Sequence, residues 1–193
     1  MSSERIRVFI SVDPDAIIKR ELYKWICILE KDAPSVKWVG AELLHFTLKF
    51  CGEISPVALE DICLALDRKF MQEAPHSFKT TLGAAGAFPS LEKARTLWIG
   101  LGKGKNSFVK LASFVEEGCV QAGIAEETRE FHPHITIGRI KKSGDMPWSV
   151  RTEFADAKFE SLGWTVSVIK LMRSVLTPGG PKYTTLKTYN LRS

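Results

Sequence analysis

A histidine, any residue, a threonine and a branched apolar residue occur twice in this chain of 193 residues. The copies are His45-Phe46-Thr47-Leu48 and His134-Ile135-Thr136-Ile137, 89 positions apart (134 − 45). On an extended strand residues i and i+2 share a face, so each His points the same way as its Thr. Phe46 and Leu48, or Ile135 and Ile137, then point to the opposite face, as a half-buried strand requires. Two such strands facing each other bring two imidazoles and two hydroxyls to one cleft. Imidazole titrates close to 6.5, so the pair can divide the roles of general base and general acid near neutral pH.

The offset of 89 extends beyond the motif. Phe9 maps to Trp98, each 36 residues before its histidine (45 − 9 and 134 − 98). Leu22, Trp25 and Ile26 map to Leu111, Phe114 and Val115, Phe70 to Phe159, and Phe88-Pro89 to Thr177-Pro178. Fixed-offset similarity is the mark of internal repetition. Identity between the halves is low, and what repeats is the pattern and its punctuation.

Each half reads as strand, helix, His-strand, helix, strand. Arg7 to Val12 is β-rich, and Asp13-Pro14 supplies an N-cap and a proline for the first helical position. Ile17, Ile18, Leu22, Trp25, Ile26 and Leu29 form one helical stripe. Ser55-Pro56 repeats the start signal before a stripe of Leu59, Ile62, Cys63, Leu66 and Phe70. Ser77 to Leu82 reads as a strand, Gly83 to Ser90 as a loop, and Thr96 to Leu101 as a strand. Asn106 or Ser107 is the expected cap of a helix carrying Phe108, Leu111, Ala112, Val115 and Cys119, with Gly123 as its stop. Helical character is weaker between Trp148 and Phe159. Trp164 to Leu176 is a strand long enough to contain a bend, and a Thr177–Pro181 turn leads to a final strand over Tyr183 to Leu191.

Alternating strands and helices usually mean a parallel α/β sheet. Short strands with polar faces fit two partly antiparallel sheets better. The expected fold is therefore α+β, with two similar lobes, each a mostly antiparallel sheet with helices, related by a pseudo-two-fold axis around a central cleft. No linker separates the halves, so residues 1–193 are expected to form a single bilobal domain with repeats at about 5–90 and 94–193.

No apolar run approaches the ~18–20 residues that span a bilayer. Met1-Ser2-Ser3-Glu4 runs into the first strand without a signal-peptide pattern, so a cytoplasmic protein with no membrane partner is expected. Net charge is +5 and the pI about 9.0, a weak bias toward a polyanionic partner. Cys27, Cys51, Cys63 and Cys119 lack C-x-x-C spacing and read as small hydrophobes in a reducing compartment.

At its two histidine strands the chain resembles the two-histidine phosphoesterase superfamily. Within it the match is to the RNA 2′,3′-cyclic phosphodiesterases, historically 2′-5′ RNA ligases. The resemblance is carried by Arg7-Val8-Phe9-Ile10, His45 to Phe50 with Gly52, Gly86-Ala87-Phe88-Pro89, Arg95 with Leu97-Trp98, Pro133 to Arg139, and Pro178 to Pro181 with Tyr183. It implies metal-free hydrolysis of an RNA 2′,3′-cyclic phosphate end to a 2′-phosphomonoester, with no cofactor. It also implies His45 as general acid and His134 as general base, roles that swap for reversible 2′-5′ ligation. Thr47 and Thr136 would donate hydrogen bonds to the non-bridging oxygens. The partner implied is RNA with a 2′,3′-cyclic phosphate end, or a cyclic nucleotide, in tRNA processing among other settings. A monomer is expected, because the duplication supplies both halves of the site.

Two cations flank the motifs. Lys49 shares the parity of His45 and Thr47, which aims it at the cleft, and the alternative is a strand-edge lysine in solvent. Arg139 lies five residues after His134 and would face away, unless Gly138 introduces a bulge. The family places a phosphate-contacting arginine here. Tyr183 and Phe88 are candidates to contact a nucleobase, with packing as the alternative. Phe9, Phe46, Trp25 and Trp98 read as core. His76 reads as a surface residue, and His132, two residues before His134, as a structural neighbour rather than a metal ligand. The competing functions are an RNA-end binding module without turnover, a phosphodiesterase for another cyclic or 2′-5′-linked nucleotide, and a His-x-His metalloenzyme.

Overall fold

A computed structural model describes residues 5–141 and 147–193; Met1 to Glu4, read above for a targeting signal, lies outside them. The strands are β1 (Ile6–Val12), β2 (Lys37–Trp38), β3 (Phe46–Ile54), β4 (Phe78–Phe88), β5 (Thr96–Leu101), β6 (Ile135–Arg139), β7 (Gly163–Val166), β8 (Val168–Thr177) and β9 (Gly180–Asn190). The helices are α1 (Ala16–Asp32), α2 (Pro56–Glu73), α3 (Lys105–Gln121) and α4 (Trp148–Asp156), with a 3₁₀ turn at Ala41–Leu43. Adding 89 to the bounds of α1 gives the bounds of α3, and Phe46, the start of β3, maps onto Ile135, the start of β6.

The fold is α+β and antiparallel, as expected, but the two sheets are joined. One curled sheet runs β7-β4-β5-β6-β3-β1-β8-β9, with β2 on the side of β6. Its halves meet at a single ladder pair between β3 and β6, Phe46 opposite Ile135. The two halves of the sheet do not coincide with the sequence repeats. β4, from the first repeat, pairs with β5 from the second, and β8, from the second, pairs with β1 from the first. The helices interleave likewise, with α2 packing on α3 and α1 on α4.

Helical periodicity located the core well. Ile18, Leu22, Ile26 and Leu29 of α1 are buried, as are Phe108, Leu111, Ala112, Val115 and Cys119 of α3. Ile17 is instead exposed, one step off the stripe. Ser55 caps α2 by accepting a hydrogen bond from the Ala58 N–H at 3.1 Å. The other two expected caps shift. Asp15, not Asp13, precedes α1, because the Asp13 carboxylate is taken by Lys170 (2.7 Å). Gly104, at φ 83°, precedes α3 in place of Asn106 or Ser107.

The loop expected over Gly83 to Ser90 is mostly strand, because β4 continues to Phe88 against β5. Its small residues reflect close packing. The ring of Trp98 occupies the space that a Cβ on Gly86 would need. The bend expected between Trp164 and Leu176 falls at Ser167, where the chain passes from β7, at one end of the sheet, to β8, near the other. No helix among the described residues is long and apolar enough to cross a membrane.

Overpacking at this point is expected to be costly. Gly86→Ala should lower stability by about 1–3 kcal/mol in thermal or denaturant unfolding, since the methyl must displace Trp98. An unchanged midpoint would mean that the ring moves aside freely.

Candidate active site

The Phe46–Ile135 pair carries the motifs to the middle of the sheet. In an antiparallel register, one step either side of that pair sets His45 opposite Thr136 and Thr47 opposite His134. Each imidazole is held in the same way. His45 Nδ1–H donates to the Leu43 carbonyl at 2.7 Å, and His134 Nδ1–H donates to the His132 carbonyl at 2.6 Å. The acceptor is a carbonyl, so Nδ1 carries the proton and Nε2 is the basic nitrogen of the neutral ring. At His45 this Nε2 accepts from the Thr47 hydroxyl at 3.1 Å.

Aromatic rings back each histidine. Phe9 lies 4.9 Å from His45 and Tyr183 meets it edge-on at 5.4 Å. Phe88 meets His134 edge-on at 5.2 Å, and Trp98 lies 6.3 Å away. Phe9 and Trp98, equivalent in the duplication, therefore serve as rigid walls behind equivalent imidazoles. Their apolar character made them read only as core.

Burial holds both histidines below their ordinary pKa, and the flanking charges then differ. At His45 the Leu43 carbonyl and the Asp13 carboxylate raise it, while Lys19 and, last, His134 lower it. At His134 the His132 carbonyl raises it, and Arg139 and the His132 ring lower it. Burial also pushes the Tyr183 phenol up, against Arg139 and Arg7, which keeps it a neutral hydrogen-bond donor. Asp13 was read as a helix cap, and its electrostatic reach to His45 had no local signal in the sequence.

Irregular register decides where the two cations go. Between Leu97 and Trp98 the β6 partner jumps from Gly138 to Thr136, a bulge that restores Arg139 to the face of Thr136 and Thr96. Arg139 is exposed there, with Nη1 3.5 Å from Thr96 Oγ1. On β3 the partner of Ile10 is Lys49 and that of Ser11 is Thr47, so Leu48 is the extra residue. The alternation that aimed Lys49 at the cleft is thus broken. Its Nζ lies 2.6 Å from Glu116 of α3 and 2.7 Å from the Ala125 carbonyl, and the residue is 5% exposed. His132 is exposed and 3.8 Å from Glu130, and His76 is exposed far along the sheet. No group of three or more potential metal ligands occurs among the described residues.

A cavity of about 790 Å³, within the range of small-ligand sites, is lined by Thr47, Phe88, His132 and His134 among others. Two imidazoles with defined tautomers, hydroxyls beside them and a nearby guanidinium can transfer protons to and from an anionic centre.

The model of the 2′-5′ RNA ligase superfamily matches residues 22–177. An RNA 2′,3′-cyclic phosphodiesterase of Aeropyrum pernix is 36% identical over 154 residues, 78% of this chain and 84% of that one. A protein of the same name from Methanothermobacter thermautotrophicus is 30% identical over 189 residues, 97% of this chain and 100% of its own. Escherichia coli LigT complexed with 3′-AMP superposes with a TM-score of 0.80 at 26% identity, covering 98% of this chain and 100% of that one.

The buried Lys49–Glu116 pair is expected to be structural. Lys49→Met should lower stability by about 1–3 kcal/mol, because the Ala125 carbonyl and the Glu116 carboxylate lose their donor. Adding Glu116→Gln should recover part of that loss in a double-mutant cycle. Additive losses would show that the two side chains do not cooperate.

Proposed function

Because this chain belongs to the 2′-5′ RNA ligase superfamily, and because both of its motif histidines donate Nδ1–H to a backbone carbonyl, we propose that it hydrolyses RNA 2′,3′-cyclic phosphate ends to 2′-phosphomonoesters. The matched tautomers are the observation that carries this reading. They leave two basic Nε2 atoms, one for each side of an in-line displacement at phosphorus.

His134 accepts the proton of the attacking water, and His45 protonates the departing 3′ oxygen. The charged neighbours support this order. A carboxylate, Asp13, favours the protonated form of His45, whereas a guanidinium, Arg139, disfavours it at His134. Each proton transfer is worth about 10²–10⁴-fold in rate. Thr47 and Thr136 donate to the non-bridging oxygens, Arg139 offsets their charge, and Tyr183 and Phe88 flank the nucleoside. The steps need no metal. A 5′ hydroxyl in place of the water attacks the cyclic phosphate and forms a 2′-5′ linkage while the 3′ oxygen leaves as before, and the two histidines exchange roles when that linkage is cleaved back to the cyclic phosphate. Lys49, engaged with Glu116, takes no part.

The test is incubation, in EDTA, with an RNA oligonucleotide ending in a 2′,3′-cyclic phosphate. The expected product is a 2′-phosphate end, lost in both His45→Ala and His134→Ala. Binding without turnover by the wild type would favour an RNA-end binding module, and activity surviving either substitution would refute the two-histidine mechanism.

The pH dependence follows from the two lowered pKa values. The acid must be protonated and the base neutral, so kcat/KM should be greatest below about 6.5 and fall as pH rises. Asp13 raises the His45 pKa, so Asp13→Asn should move the alkaline limb to lower pH. A limb that stays in place, or moves upward, would reverse the assignment of acid and base.

A further inference from the structure

The cavity that holds Thr47 and His134 does not end at them. It continues along β3 past Leu48 to Phe50 and reaches α3 and the loop at Arg129 to Phe131. Phe50 is an unusual surface residue. The Leu48 bulge sets it opposite Phe9, on the face of Thr47, and it is 51% exposed. The Arg7 guanidinium lies 4.8 Å from its ring centroid. An aromatic ring with a cation stacked on it, lining the same cavity as Thr47 and His134, is a surface suited to a nucleobase.

We propose that the Phe50–Arg7 pair binds the base of the nucleotide that precedes the cyclic-phosphate terminus, which makes oligonucleotide ends, rather than mononucleotides, the preferred substrate class. This rests on the hydrolytic reading above. The terminal nucleoside is already flanked at His45 by Tyr183, and Phe9 behind it is only 4% exposed, so neither is open to a second base. Arg7 and Phe9 are two residues apart on β1, about 7 Å, which places the platform directly beyond the terminal subsite.

Charge favours a base over a phosphate in the far part of this cavity. Glu116, Glu127 and Glu130 line it together with Lys49 and Arg129; Lys49 pairs with Glu116 and Arg129 with Glu127, at 2.6 Å in both cases, and Glu130 lies 3.8 Å from His132. Val109, Ala112 and Phe131 add apolar surface. The wall therefore combines apolar surface with one more carboxylate than lysine and arginine together, unlike the basic track that a polyanion requires. Arg7, held against the Phe50 ring, is the cation assigned to the phosphate that links the two nucleotides.

The test compares 2′,3′-cyclic AMP with the dinucleotide ApA ending in a 2′,3′-cyclic phosphate, using wild type, Phe50→Ala and Phe50→Trp. Wild type should prefer the dinucleotide in kcat/KM. Phe50→Ala should lose about 5- to 150-fold on it through KM, the range one base–aromatic stack supplies, while 2′,3′-cyclic AMP is unaffected. Phe50→Trp should keep the preference. Equal losses on both substrates, or none on the dinucleotide, would overturn the proposal. Calorimetric binding of ApA 3′-phosphate against 3′-AMP separates this claim from catalysis. If wild type turns over neither substrate, the hydrolytic reading fails, and the platform still stands or falls on whether Phe50→Ala weakens only the longer ligand.

Discussion

One backbone pair, Phe46 opposite Ile135, joins the two halves of the sheet, and the geometry of the site descends from it. Each partner directly follows a histidine, so the only ladder contact between β3 and β6 is also the centre of the motif constellation. A longer ladder would zip β3 and β6 together over their length and leave no cleft. With no ladder, the distance between the imidazoles would depend on helix packing alone. Phe46 is fully buried and packs on Phe108 of α3 and Trp164 of β7, which anchors the junction from below.

The frame repeats, but its charges do not. Each imidazole has a carbonyl on Nδ1 and two aromatic rings at its back. Around that shared frame, Asp13, Lys19 and Lys170 gather near one histidine and Arg139 near the other. Two identical acid–base groups would compete for the same role. Placing a carboxylate beside one and a guanidinium beside the other biases which of them holds the proton, at the scale of ordinary through-space electrostatics.

Much of this was legible in the chain, because long-period signals survive local irregularity. The offset of 89 and the 3.6-residue stripes persist over whole helices, so α1 and α3 and their buried faces could be read directly. Strand parity is more fragile, since a single inserted residue reverses every side chain beyond it. Leu48 is such an insertion, and it carried Lys49 away from the face its parity predicted. The bulge ahead of Arg139 acted in the opposite sense, and there Gly138 offered a hint. Asp13 was misread for another reason. A capping aspartate and an ion-paired one look alike in sequence, and its partner Lys170 lies 157 residues away.

The exchange of β4 and β8 between the repeats has a consequence for how such a molecule can arise. The first repeat ends in a strand whose neighbour, β5, belongs to the second, and the second supplies β8 to flank β1. A free single repeat would therefore leave β4 without its partner and β1 open along one edge. Two copies could satisfy each other only by trading their last strands, as domain-swapped dimers do. Covalent continuity of the two repeats removes that need for exchange, and it lets the two histidines differ, one beside a carboxylate and the other beside a guanidinium.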